Sequence, residues 1–324
     1  MPANNIQSVF LEKVRTTLPT HIALADELAE ILSISRDSAY RRIRGETVLS
    51  LDEVSAICKH FRMSLDEIIS PSSEMVSFNN RFVTEDDFTF EKWLKSIDGN
   101  LDMIHSMPQK EMMLCTKDVP ILYYFKTGEL SAFKMFFWLK SILRYRAYHS
   151  EIYNPERIPK ELLALGNRIY EKFTTIPRTE LWSPETVHAS LRQIEFYYEC
   201  GFFTNPQQAR HLCDELLKMV LEIKDCAAQG SLPGGGSFQL FKNELLIADN
   251  TFLFKMADKH VVFINHNTLN ILSTTQKAFC IQTENYLRNL LNKATKISGT
   301  GEKERLIFFN SMEDKIKSLK HKIT

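Results

Sequence analysis

The sequence predicts a mainly α-helical chain. It has an N-terminal four-helix module over residues 1–70, a linker over 71–80, a helical domain over 81–229, and a segment over 230–324 that combines a small antiparallel β-meander with two closing helices. Three observations carry this expectation. Apolar residues recur at three- and four-residue spacing through most of the chain, the period of an amphipathic helix. Ser-Pro and Asn-Pro pairs and isolated Ser residues stand just before several apolar-periodic runs, where helix caps belong. Beyond the glycine-rich QGSLPGGGS, β-branched and aromatic residues crowd together between turn signals.

In the N-terminal module Leu24, Leu28, Ile31 and Leu32 form one buried helical face. Ser33-Ile34-Ser35 makes a tight turn, with Ile34 plugging the corner between helices. Ser35 caps a second helix that begins at Arg36. On that helix Ala39 and Ile43, four apart, face inward; Arg36, Ser38, Tyr40, Arg41 and Arg44 are left to project outward, and Gly45 ends the helix. Ser50 caps a third helix through Leu51, Val54, Ile57, Cys58 and Phe61, and Ser64 a fourth through Leu65, Ile68 and Ile69. Two short helices across a tight turn, the second with an outward arginine cluster, are the layout of a helix-turn-helix DNA reader.

This stretch, and above all its tail LSLDEVSAICKHFRMSLDEII, resembles the Cro/repressor-type (Xre-like) helix-turn-helix family over about the first seventy residues. The resemblance implies that the helix at 35–45 enters the major groove of double-stranded operator DNA. Its candidate DNA-binding residues are then Ser35, Arg36, Ser38, Tyr40, Arg41 and Arg44. Many members of that family open the preceding helix with a Thr-Gln pair that grips phosphate. Leu24 and Ala25 stand there in this chain, leaving Thr20 to cap the helix and turn backbone N–H groups toward a phosphate.

Charge is local rather than global. The chain has 40 basic and 40 acidic residues, which excludes a general polyanion binder. Residues 1–70 hold eight basic residues against ten acidic ones, net −2, yet four of the eight fall within 36–44. A focused basic patch on an acidic module binds DNA weakly as one copy and with strong salt dependence. Specific binding therefore calls for two copies on neighbouring half-sites, a homodimer.

At 324 residues the chain is long enough for two or three domains. Its first residues, MPANN, show no secretory signal, and no apolar run approaches the roughly 20 residues of a membrane span. The six cysteines are scattered, without CxxC or zinc spacing, and read as buried reduced thiols of a cytoplasmic protein. Helical spacing predicts helices over 86–106, 129–148, 157–174, 184–200 and 205–228, the last two opened by Ser183-Pro184 and Asn205-Pro206. EMMLCTKDVP reads as either a short strand or a loop. The aromatic run at 129–148 wraps apolar side chains around most of its circumference and predicts a central buried helix. A sensing pocket would be lined partly by its aromatics, Phe133, Phe137 and Trp138 among them. Its cations Lys134, Lys140, Arg144 and Arg146 then snorkel or meet carboxylates.

QGSLPGGGS gathers four of the eleven glycines and reads as a flexible turn, because no Lys-Ser/Thr follows to make a phosphate loop. Three or four short strands are expected in FQLFKNELLIADNTFLFKMADKHVVFINHN, with turns at Ala248-Asp249-Asn250 and Ala257-Asp258-Lys259. His260 and His266 have no cysteine or acid at matching positions, so no metal site is predicted. Helices over about 275–297 and 302–321 close the chain, joined by Ser298-Gly299-Thr300-Gly301.

The chain has no Walker motif, no GxGxxG after a strand, no HExxH and no GxSxG. Ala227-Ala228-Gln229-Gly230 is the only candidate self-cleavage segment, and no nucleophile–base pair follows it. The expectation is a non-enzymatic, cofactor-free, cytoplasmic transcription regulator. It would bind operator DNA through residues 1–70 and use the remaining chain for dimerisation and for sensing a small-molecule or peptide effector. The alternative is an interaction protein, adaptor or antitoxin-like, that uses the helix-turn-helix as a DNA tether.

Overall fold

The computed structural model describes residues 6–18, 22–61, 63, 65, 75–126, 128–244, 250–257 and 259–324, in two units, Met1–Ser77 and Phe78–Thr324. In the first unit the described helices are α1 (Ile6–Thr17), α2 (Leu24–Leu32), α3 (Arg36–Ile43) and α4 (Leu51–Phe61). Phe10, Leu11 and Val14 of α1 pack with Ala25, Leu28, Ala39, Leu49 and Ile57. Helix α1 thus supplies three of these eight buried residues from upstream of the stretch whose spacing pointed to helices. Thr20, Ser64 and the positions of Ile68 and Ile69 lie outside the described residues, and so does most of the expected fourth helix.

The second unit overturns the expectation of a mainly α chain with a small meander. A seven-stranded mixed sheet runs through it in the order β6-β5-β4-β1-β2-β3-β7. The strands are β1 (Lys110–Thr116), β2 (Arg178–Trp182), β3 (Phe238–Lys242), β4 (Thr251–Met256), β5 (Lys259–Asn265), β6 (Ile271–Thr274) and β7 (Thr295–Lys296). β1 and β2 pair in parallel, with Met112 opposite Arg178, and β2 and β3 pair in parallel, with Arg178 opposite Phe238. The pairs β1–β4, β4–β5, β5–β6 and β3–β7 are antiparallel. An antiparallel β4–β5–β6 run does occur in the C-terminal part, but β3 joins the parallel half. The predicted turn at 248–250 falls partly outside the described residues.

β1 falls where the sequence reads as either a strand or a loop, and β2 is not expected from it; both have a physical explanation. β1 sits mid-sheet with both faces covered: Met112 and Leu114 enter the main core, and Met113 and Cys115 a second one. A strand buried on both faces shows no polar alternation. β2 instead carries Arg178 and Glu180, both buried, at positions a core pattern reserves for apolar residues.

Helices cover the sheet on both sides. They are α5 (Phe90–His105), α6 (Glu129–Phe137), α7 (Lys160–Thr175), α8 (His188–Glu199), α9 (Pro206–Gln229), α10 (Lys277–Asn292) and α11 (Glu302–Lys322). The β1-to-β2 crossover carries α6 and α7, and the β2-to-β3 crossover carries α8 and α9. Cys280 and Leu287 of α10 cover the face made by Met113, Cys115, Leu181, Leu253 and Val262. Helix α9 starts where the Asn-Pro signal placed it, with the Asn205 side chain accepting from the Gln208 N–H at 3.1 Å. Ser183-Pro184 instead opens a turn that delays α8 to His188, with the Thr186 hydroxyl donating to the Ser183 carbonyl at 2.7 Å.

The aromatic segment at 129–148 is buried over residues 130–139, half-buried or exposed beyond them, and α-helical only to Phe137. A π-helical turn over Trp138–Ile142 follows, then Arg144 with φ 55°. Phe133, Phe136 and Trp138 are packed inside the core. Phe133 meets the rings of Phe137, Tyr153, Tyr197 and Phe203 at centroid distances of 5.3–6.3 Å. Lys134 does not snorkel. Its Nζ donates to Gln193 Oε1 at 2.6 Å and Ser190 Oγ at 3.2 Å, and lies 4.1 Å from the Tyr124 ring centre. Burial, partly offset by the nearby Asp118 carboxylate, pushes its pKa down to about 7.

QGSLPGGGS is a packed turn rather than a loose one. The Gly236 N–H donates to the Thr174 carbonyl at 3.2 Å, and a Cβ on Gly236 would sit 2.8 Å from that same oxygen. Among the cysteines, Cys115, Cys213 and Cys280 are buried as expected, Cys58 and Cys226 are half-buried, and Cys200, which ends α8, is exposed. His260 lies on β5 opposite Lys255, while His266 lies beyond the end of that strand with its ring against Phe82. No helix among the described residues is long and apolar enough to cross a membrane.

Candidate nucleic-acid interface

The candidate interface is built around the turn between α2 and α3. Ser33 closes α2 in the left-handed region at φ 52°, and the Ile34 N–H returns to the Ala29 carbonyl at 3.0 Å. Ile34 then packs on the core of the unit. Ser35 caps α3: its Oγ accepts from the Ser38 N–H at 3.2 Å and lies 2.9 Å from the Ser38 hydroxyl. Ala39 is completely buried and Ile43 packs on the same core, so the helix can face only one way. The Arg36, Tyr40, Arg41 and Arg44 side chains are exposed, and Ser38 is half-buried. Gly45 follows at φ 76°, a conformation that only glycine adopts at little cost.

The turn after α3 is fixed by a residue from α1. The Gln7 side-chain amide donates to the Arg42 and Thr47 carbonyls, each at 2.8 Å, and its Oε1 accepts from the Leu49 N–H at 2.9 Å. One glutamine thereby pairs three backbone groups over residues 42–49 and ties the end of α3 to α1. Ser50 and Glu53 form a reciprocal cap on α4, with Ser50 N–H to Glu53 Oε2 at 2.9 Å and Glu53 N–H to Ser50 Oγ at 3.2 Å.

The four arginines of 36–44 divide into two roles. Arg42 is turned toward α4, with Nη2 at 2.6 Å and Nε at 3.1 Å from Glu53 Oε1, and Nη1 donating to the Ser38 carbonyl at 3.2 Å. These bonds hold the Glu53 carboxyl below the usual carboxylate range. Arg42 is therefore structural. The other three are outward but each has a carboxylate beside it. Arg36 Nε lies 2.8 Å from Asp26 Oδ1, and Arg36 also stands over the Tyr40 ring at 5.9 Å. Arg44 pairs with both oxygens of Glu46, at 2.6 and 3.2 Å, and Arg41 lies 3.7 Å from the same carboxylate. The hydrogen bond from Arg44 lowers the Glu46 pKa and raises that of Arg44.

The face is thus a set of exposed guanidiniums, each loosely held by an exposed acid. Such pairs are weak in water and exchange readily for a stronger anion. A phosphate or a guanine edge offers a guanidinium the same bidentate geometry as a carboxylate. The sequence brought forward Arg36, Arg41 and Arg44 as outward residues and Arg42 only as part of the basic run. It missed their partners: Asp26 and Glu53 lie ten and eleven residues away, although Glu46 is only two residues from Arg44. Gln7 escaped notice as well, since its targets are 35 to 42 residues distant. No family model, no curated protein and no solved structure matches the chain.

Proposed function

We propose that the chain is a sequence-specific, non-enzymatic DNA-binding transcription regulator of the cytoplasm, working as a homodimer. Arg36, Tyr40, Arg41 and Arg44 face the operator, Ser35 and Ser38 set the start of the reading helix, and the unit over Phe78–Thr324 serves dimerisation and sensing. One observation carries this reading: outward guanidiniums on a short helix whose register is locked at its start by Ser35 and at its end by Gln7. A reading helix needs that rigidity, because base contacts are lost with small displacements. The test is selection from a random duplex pool by the full chain. Enrichment of a motif with two half-sites about 34–36 Å apart is expected. A pool that stays random after repeated rounds would remove the proposal.

An adaptor or antitoxin-like role draws on a different observation. Asp26, Asp37 and Glu46 match the outward arginines charge for charge, and such a mixed surface also suits a protein partner. Copurification of a distinct polypeptide, lost on Arg44→Ala, together with the unenriched pool, supports that role instead.

A further inference from the structure

We infer that a cavity in the second unit binds a small organic molecule carrying a primary ammonium group on an aromatic or alkyl body. This inference stands independently of the DNA-binding proposal. The cavity measures about 450 Å³ and lies between α9, the short 3₁₀ helix Ile121–Phe125 that follows β1, and the turn after α9. Its volume is within the range of small-molecule sites, about 300–1,000 Å³.

The deep part is apolar and aromatic, made by Tyr123, Met219, Ile223 and Leu232, all buried. The Tyr123 hydroxyl is already committed, donating to Glu180 at 2.8 Å. The floor therefore offers a ring face and methyl groups rather than a donor. The wall carrying Leu232 is held in place: the Leu232 N–H donates to the Gly236 carbonyl at 2.9 Å, and the Gly236 N–H in turn to Thr174. A ligand meets a preformed surface here and does not have to order a loop, which lowers the cost of binding.

Charge decides the class of ligand. Lys126 is the cation of the lining, and Glu222 takes it at 2.6 Å. Asp225, exposed at the rim, has no hydrogen-bond or ion-pair partner among the described residues. The rim therefore presents one free negative charge, with the Ser231 side chain and the Gln229 amide beside it as further polar groups. An anion entering here finds no free cation. Behind the floor lies a buried pair, Arg178 and Glu180, with the Arg178 Cζ 5.9 Å from the Tyr123 ring centre and Nη1 3.6 Å from Glu180 Oε1. A positive charge seated deep would lose water and find only that already paired carboxylate, whereas at the rim it meets the unpaired Asp225. The geometry orients the ligand: apolar end inward against Tyr123, ammonium outward at Asp225.

The test uses the full chain and three matched probes: phenethylamine, phenethyl alcohol and hydrocinnamate, with hexylamine as the alkyl counterpart. Thermal melting and calorimetric titration are read for each. A saturable rise in Tm with at least one amine, absent with the alcohol and the carboxylate, is expected. Asp225→Asn changes an exposed side chain, so the unliganded Tm should stay near the parent's while amine affinity falls about tenfold or more. Leu232→Trp, which fills the deep part, should abolish amine binding altogether. The inference is overturned if neither amine binds at millimolar concentration, if the alcohol binds as well as the amine, or if Asp225→Asn leaves amine affinity unchanged.

Discussion

Glu46 pairs with Arg44 through both carboxylate oxygens just beyond the end of α3, with Nε–Oε1 at 2.6 Å and Nη2–Oε2 at 3.2 Å. Both side chains are exposed, and the geometry of the pair is the one a guanidinium uses toward phosphate or guanine. On the proposed reading, Glu46 competes with DNA for this guanidinium.

Replacing that carboxylate should free the guanidinium. Glu46→Gln is expected to tighten DNA binding and to steepen its salt dependence by about one ion. Anisotropy titrations at several salt concentrations measure both. Weaker binding by the variant would show that Glu46 aids the contact instead of competing with it.

The arginines should separate by role. Arg41→Ala and Arg44→Ala should each lower DNA affinity roughly 5- to 150-fold. Arg41→Ala should leave stability within about 0.5 kcal/mol, as for other exposed positions. Arg42→Ala should do the reverse first. It strips the guanidinium from Glu53, leaving only the Ser50 N–H there, and from the Ser38 carbonyl, at a cost of roughly 1 kcal/mol in melting of the isolated N-terminal unit. Equal loss of stability in all three variants would erase the distinction.

That division marks how far the sequence could be read. Ser35, Ala39 and Gly45 act within a few residues of where they stand, so spacing and capping rules located α3 and its exposed face. The Gln7 clamp and the Asp26 and Glu53 pairings join residues far apart in the chain, and no local pattern encodes them. The parallel half of the sheet was harder to read for related reasons. β1 is covered on both faces and shows no alternation, and β2 places Arg178 and Glu180 inside the core. There the Trp182 indole N–H donates to Glu180 at 2.7 Å and the Arg178 guanidinium donates to the Phe173 carbonyl at 2.5 Å. The long-range partner is Tyr123, whose hydroxyl donates to Glu180 at 2.8 Å. Buried charged residues of this kind look, in sequence, like a loop.

Lys134 gives the second unit a pH signature. Its folded pKa, about 7, lies below the unfolded value, so the unfolded chain holds more protons between pH 7 and 10. Stability should therefore rise with pH across that window and is lowest, on this account, at and below pH 7. Between pH 7 and 9 the gain should be on the order of 2 kcal/mol. Burial pushes the thiols of Cys115 up to about 11 and of Cys213 up to about 12. They act oppositely, withdrawing stability above the ordinary thiol range. Lys134→Met should remove the rise between pH 7 and 9 in denaturant melts; a variant that keeps the parent's slope would contradict this.

Phe133 is the hub of the aromatic core and has no exposed surface. Phe133→Ala should cost about 3–5 kcal/mol, and roughly 6–20 °C in melting of the second unit. DNA contacts of the isolated first unit should be untouched. A variant that melts with the parent would place this segment outside the core.

The most direct test of the central claim is guanine-N7 methylation interference on a duplex enriched by the full chain. N7 lies in the major groove, where the arginines of the helix starting at Arg36 would read it. Two clusters of blocking methyl groups, one helical turn apart at about 34–36 Å and both weakened in Arg41→Ala, are the predicted result. Binding that tolerates methylation at every guanine, with only phosphate modification interfering, would contradict sequence reading by this helix.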